Sequence, residues 1–470
     1  MSRLFATREG DDGLPGPERR LAVLALIFGT TMAVVDATMI NLALPSIAAD
    51  LEVASASAVW VTNIFQVTCA AFLLVFSGLS EVVGRRRLYV AGLALFAVSA
   101  AGSALSRDLD TLLAFRALQG LGAAATLSIG PSLYRTIFPS RLLGSALGLS
   151  SLVVATGYTA GPAIGGLVLS VADWPWLFAL PVPIGVVAVI LAWRALPREP
   201  GRRGGFDAAG AGCSILALGA LFLAMDGVGH QTPVWQSLGW LALSLVVAGL
   251  FVWRQRRAPH PLLPLTLFRQ RRFSLAVSAS GLAFIGQGLA FVALSFLYQQ
   301  GMGFSPLKTA WLFTPWPLAI MVAGPLAGRL ADRVNPSLLS CLGLVVLIAG
   351  MIALADLEAE AGVVDCLWRT ALCGLGFGIF QPPNNRELMA SVPAERSANA
   401  SGVMSTTRTV GQALGVALVG ACLSVGAPVQ TALWGGAVAG GLALLASFGR
   451  VSLAGEAART RRRAASERVQ

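Results

Sequence analysis

Apolar residues run through this chain in long stretches broken by short charged segments. A spanning helix needs about 20 mainly apolar residues. Runs of that kind fall at roughly 21–45, 57–80, 88–106, 111–136, 144–170, 176–196, 208–226, 236–253, 273–299, 306–330, 338–355, 363–385, 398–424 and 430–449. The pattern predicts an all-α polytopic membrane protein with fourteen transmembrane helices.

The charges between the runs test that count. One set of alternate loops carries Arg85–Arg87, Arg135, Arg141, Arg194, Arg198, Arg202, Arg203, Arg254, Arg256, Arg257, Arg269, Arg271, Arg272, Arg329, Arg333, Arg386 and Arg396. The tails add Arg19, Arg20 and Arg461–Arg463 on the same side. The opposite loops hold mainly acids, including Asp50, Glu52, Asp108, Asp110, Asp173, Asp226, Glu358 and Glu360. Arginine-rich loops stay in the cytoplasm. One miscounted run would scramble every loop after it, so an even number of spans with both termini cytoplasmic is expected.

Composition narrows the class. The 470 residues are 56% hydrophobic and 12% charged, against roughly 25% charged in a soluble globular chain. The net charge of +11 is almost all arginine, since Lys308 is the only lysine. These charges cluster in short loops, which fits membrane topology and not a nucleic-acid partner. The six cysteines sit mostly inside apolar runs without metal-ligand spacing, and His230 and His260 lie in loops, so no metal and no cofactor is expected. The first apolar run is too long for a signal-peptide core. There is no phosphate-binding Gly-x-x-x-x-Gly-Lys-Ser/Thr sequence, which disfavours ATP as a power source. No nucleophile–base set is evident, and an enzyme is not expected.

The chain also repeats itself. Glu81 in "SGLSEVVGRRR" and Asp332 in "GRLADRVN" stand 251 positions apart. Gly148, Gly157 and Gly161 pair with Gly402, Gly411 and Gly415 at an offset of 254. Arg116 and Arg369, each followed by a Gly-rich stretch, are 253 apart. Six spans occupy about 180 residues at this density, so the offset leaves room for two further helices between duplicated halves. The expected layout is an N-terminal tail (1–20), a six-helix half (21–200), two inserted helices with a linker (201–260), a second six-helix half (261–450) and a basic tail (451–470). Parallel six-helix repeats are the architecture of the major facilitator fold, with substrate bound between the halves.

The motifs resemble those of one group in particular, the fourteen-span drug/proton antiporters of the major facilitator superfamily. "VVDATMINLALPSI" in the first span is similar to that family's Asp-x-Thr…Asn-x-Ala-Leu-Pro signature, at Asp36, Thr38, Asn41, Ala43, Leu44 and Pro45. The loop after span two resembles Gly-x-Leu-x-Asp-x-x-Gly-Arg-Arg, with Leu79, Gly84, Arg85 and Arg86 in place, Ser77 for the first glycine and Glu81 for the aspartate. "RALQGLG" matches Arg-x-x-Gln-Gly-x-Gly at Arg116, Gln119, Gly120 and Gly122. "GYTAGPAIGG" matches the exporter-type Gly-x-x-x-Gly-Pro-x-x-Gly-Gly in full, at Gly157, Gly161, Pro162, Gly165 and Gly166. "WPWLFALPVPIG" departs from its counterpart at Pro175 and Pro181, and no role is carried over from it. The resemblance implies a proton-coupled exporter, and a cytoplasmic gate of Glu81, Gly84, Arg85 and Arg86 echoed by Asp332 and Arg333.

Asp36 is the costly residue. A helix-centre aspartate costs about 2.5–3.5 kcal/mol on insertion scales. Counted from Arg20, it lies about 24 Å up a hydrocarbon core of about 30 Å. Arg116, counted from Thr111 on a helix running the other way, lies about 7 Å down from the outer face, so the two reach similar depth. They are expected to communicate directly, through water or through Gln119, and to form the proton-coupling pair. Asp36 has the alternative of a structural ion pair or cavity-wetting residue, and Arg116 that of snorkelling to the outer surface. Thr38, Asn41, Gln119, Gln287, Trp316, Gln381 and Asn384 are candidate cavity residues, since aromatic and amide linings suit lipophilic cations. Arg408 has either an anchoring or a transport role. Asp207 and Asp226 bracket the seventh run and are expected to be solvated at its ends.

The expected protein is a monomer of the bacterial cytoplasmic (inner) membrane. Its partners are a small-molecule substrate, protons and the lipid bilayer. An exporter dedicated to one metabolite and a non-transporting sensor on the same scaffold remain as alternatives.

Overall fold

Prolines and polar caps mark where the helices begin. Pro175, Pro181, Pro306 and Pro336 occupy first-turn positions, where a missing N–H costs nothing. Asp108 accepts a hydrogen bond from Thr111 N at 2.8 Å, and Asn335 accepts one from Ser337 N at 2.9 Å, satisfying amides that a helix leaves open. The computed structural model describes residues 11–139, 142–198, 205–227, 233–259, 261–331, 333–358, 360–392 and 397–467.

The helices are α1 (Gly16–Asp50), α2 (Ser55–Val83), α3 (Arg85–Ala104), α4 (Leu109–Ile137), α5 (Leu143–Val171), α6 (Pro175–Ala179), α7 (Pro181–Ala195), α8 (Ala208–Gly227), α9 (Val234–Arg257), α10 (Arg271–Phe296), α11 (Pro306–Phe313), α12 (Pro315–Leu330), α13 (Pro336–Ala355), α14 (Val363–Ala390), α15 (Ser397–Ser424) and α16 (Gln430–Glu467). Among the described residues there is no strand. Every apolar run read from the sequence overlaps a helix. Two runs are interrupted, at Leu180 between α6 and α7 and at Thr314 between α11 and α12, each immediately before a proline. Proline removes a helical donor and clashes with the preceding turn. A π-helical turn, Leu297–Gly301, extends α10. Among the described residues, twelve helical segments are long and apolar enough to cross a membrane, and the chain is a multi-pass membrane protein.

Two compact units emerge. The first comprises Met1–Leu263, Phe291–Thr314 and Val416–Val429. Within it α1 packs on α5 and α7, α4 on α2 and α3, and α8 on α9. Leu26, Met32, Phe65, Leu93, Phe96, Ile129 and Leu133 form its core. A Cβ on Gly120 would fall 2.5 Å from the backbone oxygen of Phe65, so α2 and α4 meet backbone to backbone, as small residues allow in membranes. Helix α9 is the least enclosed of the twelve spans, with 11% of its apolar stretch buried. The second unit comprises Pro264–Ala290, Pro315–Gly415 and Gln430–Gln470. There α14 packs on α12 and α13, and α13 on α16. Phe377 contacts Phe284 and Phe380 with ring centroids 5.4 and 6.2 Å apart.

Candidate functional site

A closed triangle of polar side chains lies inside the first unit. Arg116 on α4 donates from Nη1 to Asp36 Oδ2 on α1 at 2.7 Å. The same nitrogen reaches Gln119 Oε1, one turn along α4, at 2.8 Å. Gln119 Nε2 returns to Asp36 Oδ1 at 2.9 Å. Both carboxylate oxygens are therefore held. Arg116 Nε donates to the backbone oxygen of Val61 on α2 at 2.9 Å, and its guanidinium lies over Phe65 at 4.3 Å and Phe178 at 5.4 Å. Arg116 is fully buried and does not reach an outer surface.

Such a pair survives burial because charge-assisted bonds offset desolvation. Removing one partner of a buried pair costs about 3–5 kcal/mol. One donor of the triangle, Arg116 Nη2, has no hydrogen-bond partner among the described residues. The arrangement can hold a negative charge, or give it up by taking a proton and releasing the guanidinium.

The other residues of the first-span signature follow Asp36 along α1. Thr38 is buried and turns its hydroxyl back to Val34 O at 3.0 Å and Val35 O at 3.1 Å. The glycines of α5 lie against the same stretch: a Cβ on Gly157 would crowd Val34, one on Gly161 would overlap Thr38, and one on Gly165 would crowd Met39. Pro162 and Gly166 are buried in the same helix, and Gly166 faces Ala310 of α11. Asn41 is buried, and its Oδ1 has no hydrogen-bond partner among the described residues. Thr62, Asn63 and Gln66 of α2 are also buried with unsatisfied oxygens. Sequence reasoning overlooked them, although "WVTNIFQVT" already showed polar groups in an apolar run.

The second-unit candidates occupy separate environments. Gln287 accepts from Gln412 Nε2 at 2.9 Å. Asn384 donates to Ala276 O at 3.2 Å and Ser280 Oγ at 3.4 Å. Trp316 is buried, its backbone lying against Gly374, and Gln381 is half-buried. Arg369, the repeat partner of Arg116, instead donates to Ala353 O at 2.8 Å and sits 3.8 Å from Asp365.

At the charged loop after α2, Gly84 has φ +100°, a conformation that only glycine adopts without strain. Arg86 is buried, donates to Trp193 O and lies over the Trp193 ring at 5.1 Å. Arg85 is half-buried. Glu81 is exposed and forms no ion pair among the described residues. Arg333 is exposed, its amide bonded to Leu330 O at 2.9 Å. Asp332 lies outside the described residues, as do Arg141, Arg202, Arg203, Arg396, His230 and His260.

Two charged residues differ from their sequence expectation. Asp207 is not a solvated helix end. It is buried, caps Gly210 N at 3.0 Å, and accepts from Arg254 Nε at 3.0 Å and Gln255 Nε2 at 2.9 Å. Burial pushes its carboxyl up, but the Gly210 amide, Arg254 and Gln255 outweigh this and hold it below the usual carboxylate range. Arg19 is not a free topology charge either, since its buried guanidinium donates twice to Leu14 O, at 3.1 and 2.8 Å. Arg450, which the sequence did not single out, is also buried and donates to Glu387 Oε2 and Ser447 Oγ, both at 2.7 Å.

Comparison with known proteins supplies the family. The model of the Major Facilitator Superfamily matches residues 26–416. The uncharacterized transporter YebQ of Escherichia coli (strain K12) is 42% identical over 415 residues, covering 88% of this chain and 91% of that relative. The multidrug resistance protein Stp of Mycobacterium tuberculosis (strain CDC 1551 / Oshkosh) is 31% identical over 410 residues, covering 86% of this chain and 76% of its own length. A crystal structure of peptide transporter POT in complex with alafosfalin superposes with a TM-score of 0.66 at 15% identity, covering 92% of this chain and 94% of that one. This likeness shows a shared fold. The chain belongs to the Major Facilitator Superfamily of transporters.

Proposed function

We propose that this protein is a secondary exporter that expels small lipophilic or cationic compounds in exchange for protons across the bacterial inner membrane. The observation that carries the reading is the buried Asp36–Arg116–Gln119 triangle. Deprotonated, Asp36 holds Arg116. A proton on Asp36 removes that charge and frees the guanidinium. A cationic substrate and the proton then compete for one carboxylate. The full Gly157–Gly166 motif and the likeness to a relative named for multidrug resistance support the direction and the substrate class.

The proposed arrangement is fourteen spans, six plus two plus six, with both termini cytoplasmic. Helices α5 and α15, of 29 and 28 residues, supply the two spans beyond the twelve. Rocking of one six-helix half against the other gives alternating access, and Glu81, Gly84, Arg85, Arg86, Asp332 and Arg333 gate the cytoplasmic side. Thr38, Asn41, Gln119, Gln287, Trp316, Gln381 and Asn384 line the substrate path.

The deciding experiment measures proton flux in proteoliposomes while a panel of cationic and neutral compounds is added. Compound-dependent proton movement is expected with lipophilic cations. Compound export that proceeds without any proton movement would overturn the coupling.

A further inference from the structure

Where α3 begins and α7 ends, the first unit contains a cavity of about 360 Å³ whose lining includes Leu14, Glu18, Arg86, Trp193, Arg194 and Arg198. Three guanidinium groups face one carboxylate. Arg194 and Arg198 are exposed and make no hydrogen bond or ion pair among the described residues. Glu18 is exposed and likewise forms no ion pair among them. Arg86 is only 9% exposed. Its Nε has no hydrogen-bond partner among the described residues, and the charge on Arg198 repels it. The first turn of α3 has no side-chain cap, so its amides add partial positive charge to the same place.

Basic residues at a helix C-terminus often do no more than complement its dipole and fix topology. That explains Arg194. It does not explain a buried arginine with an unmade donor beside two more cations and an open cavity. An anion is what this electrostatic arrangement lacks.

The surface of α7 indicates which anion. Val186, Val187, Ile190 and Trp193 are 49%, 44%, 46% and 58% exposed. Their spacing places Val186, Ile190 and Trp193 on one helix face, a stripe leading from the cavity into the apolar part of the span. Tryptophan at that position suits the headgroup level of a bilayer. A soluble anion has no use for such a stripe, whereas acyl chains do.

We propose that this cavity binds the phosphate of an anionic phospholipid, with the acyl chains lying along Val186, Ile190 and Trp193. The site does not depend on proton coupling and stands or falls separately from it. Basic pockets between spans hold anionic headgroups by this chemistry.

Native mass spectrometry of the full-length protein, titrated with phosphatidylglycerol or phosphatidylcholine of equal chain length, tests the proposal. Selective retention of phosphatidylglycerol is expected. In the double variant Arg194→Gln/Arg198→Gln that retention should fall about thirtyfold, with phosphatidylcholine retention and the thermal midpoint unchanged. Equal retention of the two lipids by the unaltered protein, or undiminished phosphatidylglycerol retention by the variant, would overturn it. So would inorganic phosphate that displaces phosphatidylglycerol and raises the thermal midpoint as much as the lipid does, which would assign the cavity to a soluble anion.

Discussion

Arg116 Nη1 stands 2.7 Å from Asp36 Oδ2, and neither side chain retains any solvent exposure. Two residues 80 positions apart are thereby locked into one electrostatic unit, with Gln119 closing the third side.

Neutralising Asp36 leaves a buried guanidinium without its counter-charge. Asp36→Asn should therefore lower stability by about 3–5 kcal/mol and abolish substrate-dependent proton movement. Thermal unfolding in detergent and proton flux in everted vesicles check the two effects. Drug-induced proton release at the unaltered level would remove Asp36 as the coupling residue.

A double-mutant cycle tests whether the pair acts as a unit. Asp36→Asn combined with Arg116→Gln should be less damaging than the sum of the single changes, with a coupling of at least about 1 kcal/mol in unfolding free energy. Strict additivity would mean that the two side chains act independently.

The contact of Gly161 with Thr38 leaves no room for a methyl group. Gly161→Ala should push α5 away from α1 and cost about 1–3 kcal/mol, the range of overpacked cores. Adding Thr38→Ala should recover part of that stability and part of the transport rate. Thermal midpoints and uptake into vesicles measure both, and a fully tolerated Gly161→Ala would contradict the close packing.

Asp207 carries a pH signature. Its carboxyl is held below the ordinary range in the folded protein, so the stability it provides is present above the unfolded-state value of about 3.9 and is lost as pH falls through the lower folded-state value. Asp207→Asn should cost about 1.5–3 kcal/mol at neutral pH, as expected for charge-assisted hydrogen bonds. The difference from the unaltered protein should shrink towards acid. Unfolding curves across the acidic range reveal it, and a difference independent of pH would show that the charge plays no part.

Helix positions were legible because a membrane demands length and apolarity, and both can be read directly along the chain. The meeting of Asp36 and Arg116 was legible for a related reason: two costly charges at similar depth on antiparallel helices need each other. The breaks at Leu180 and Thr314 were less visible, since proline inside a membrane span sometimes only bends it. Asp207 and Arg19 were misread because a charge near a helix end looks alike whether water or other protein groups solvate it. Only tertiary packing brings Arg254 to Asp207, whereas Leu14 lies five residues before Arg19, a contact that the charge pattern does not announce. The approach of Gly161 to Thr38 was hidden for the same reason, as a glycine motif does not state which helix it receives.

Among the described residues, the triangle in the first unit has no copy in the second. At the repeat offset Arg369 turns to Ala353 O and Asp365, and Asp36 falls on the stretch Gln287–Ala290, which holds no acid. If the chain is a duplication, as the repeat offsets suggest, its two halves differ in charge at this depth. On the proposed coupling role, one half is bound to the energy source and the other is released from it. Substitutions at Gln287, Trp316, Gln381 or Asn384 can then re-specify the cargo without disturbing the engine, so such a scaffold can diversify in substrate while its driving force stays the same.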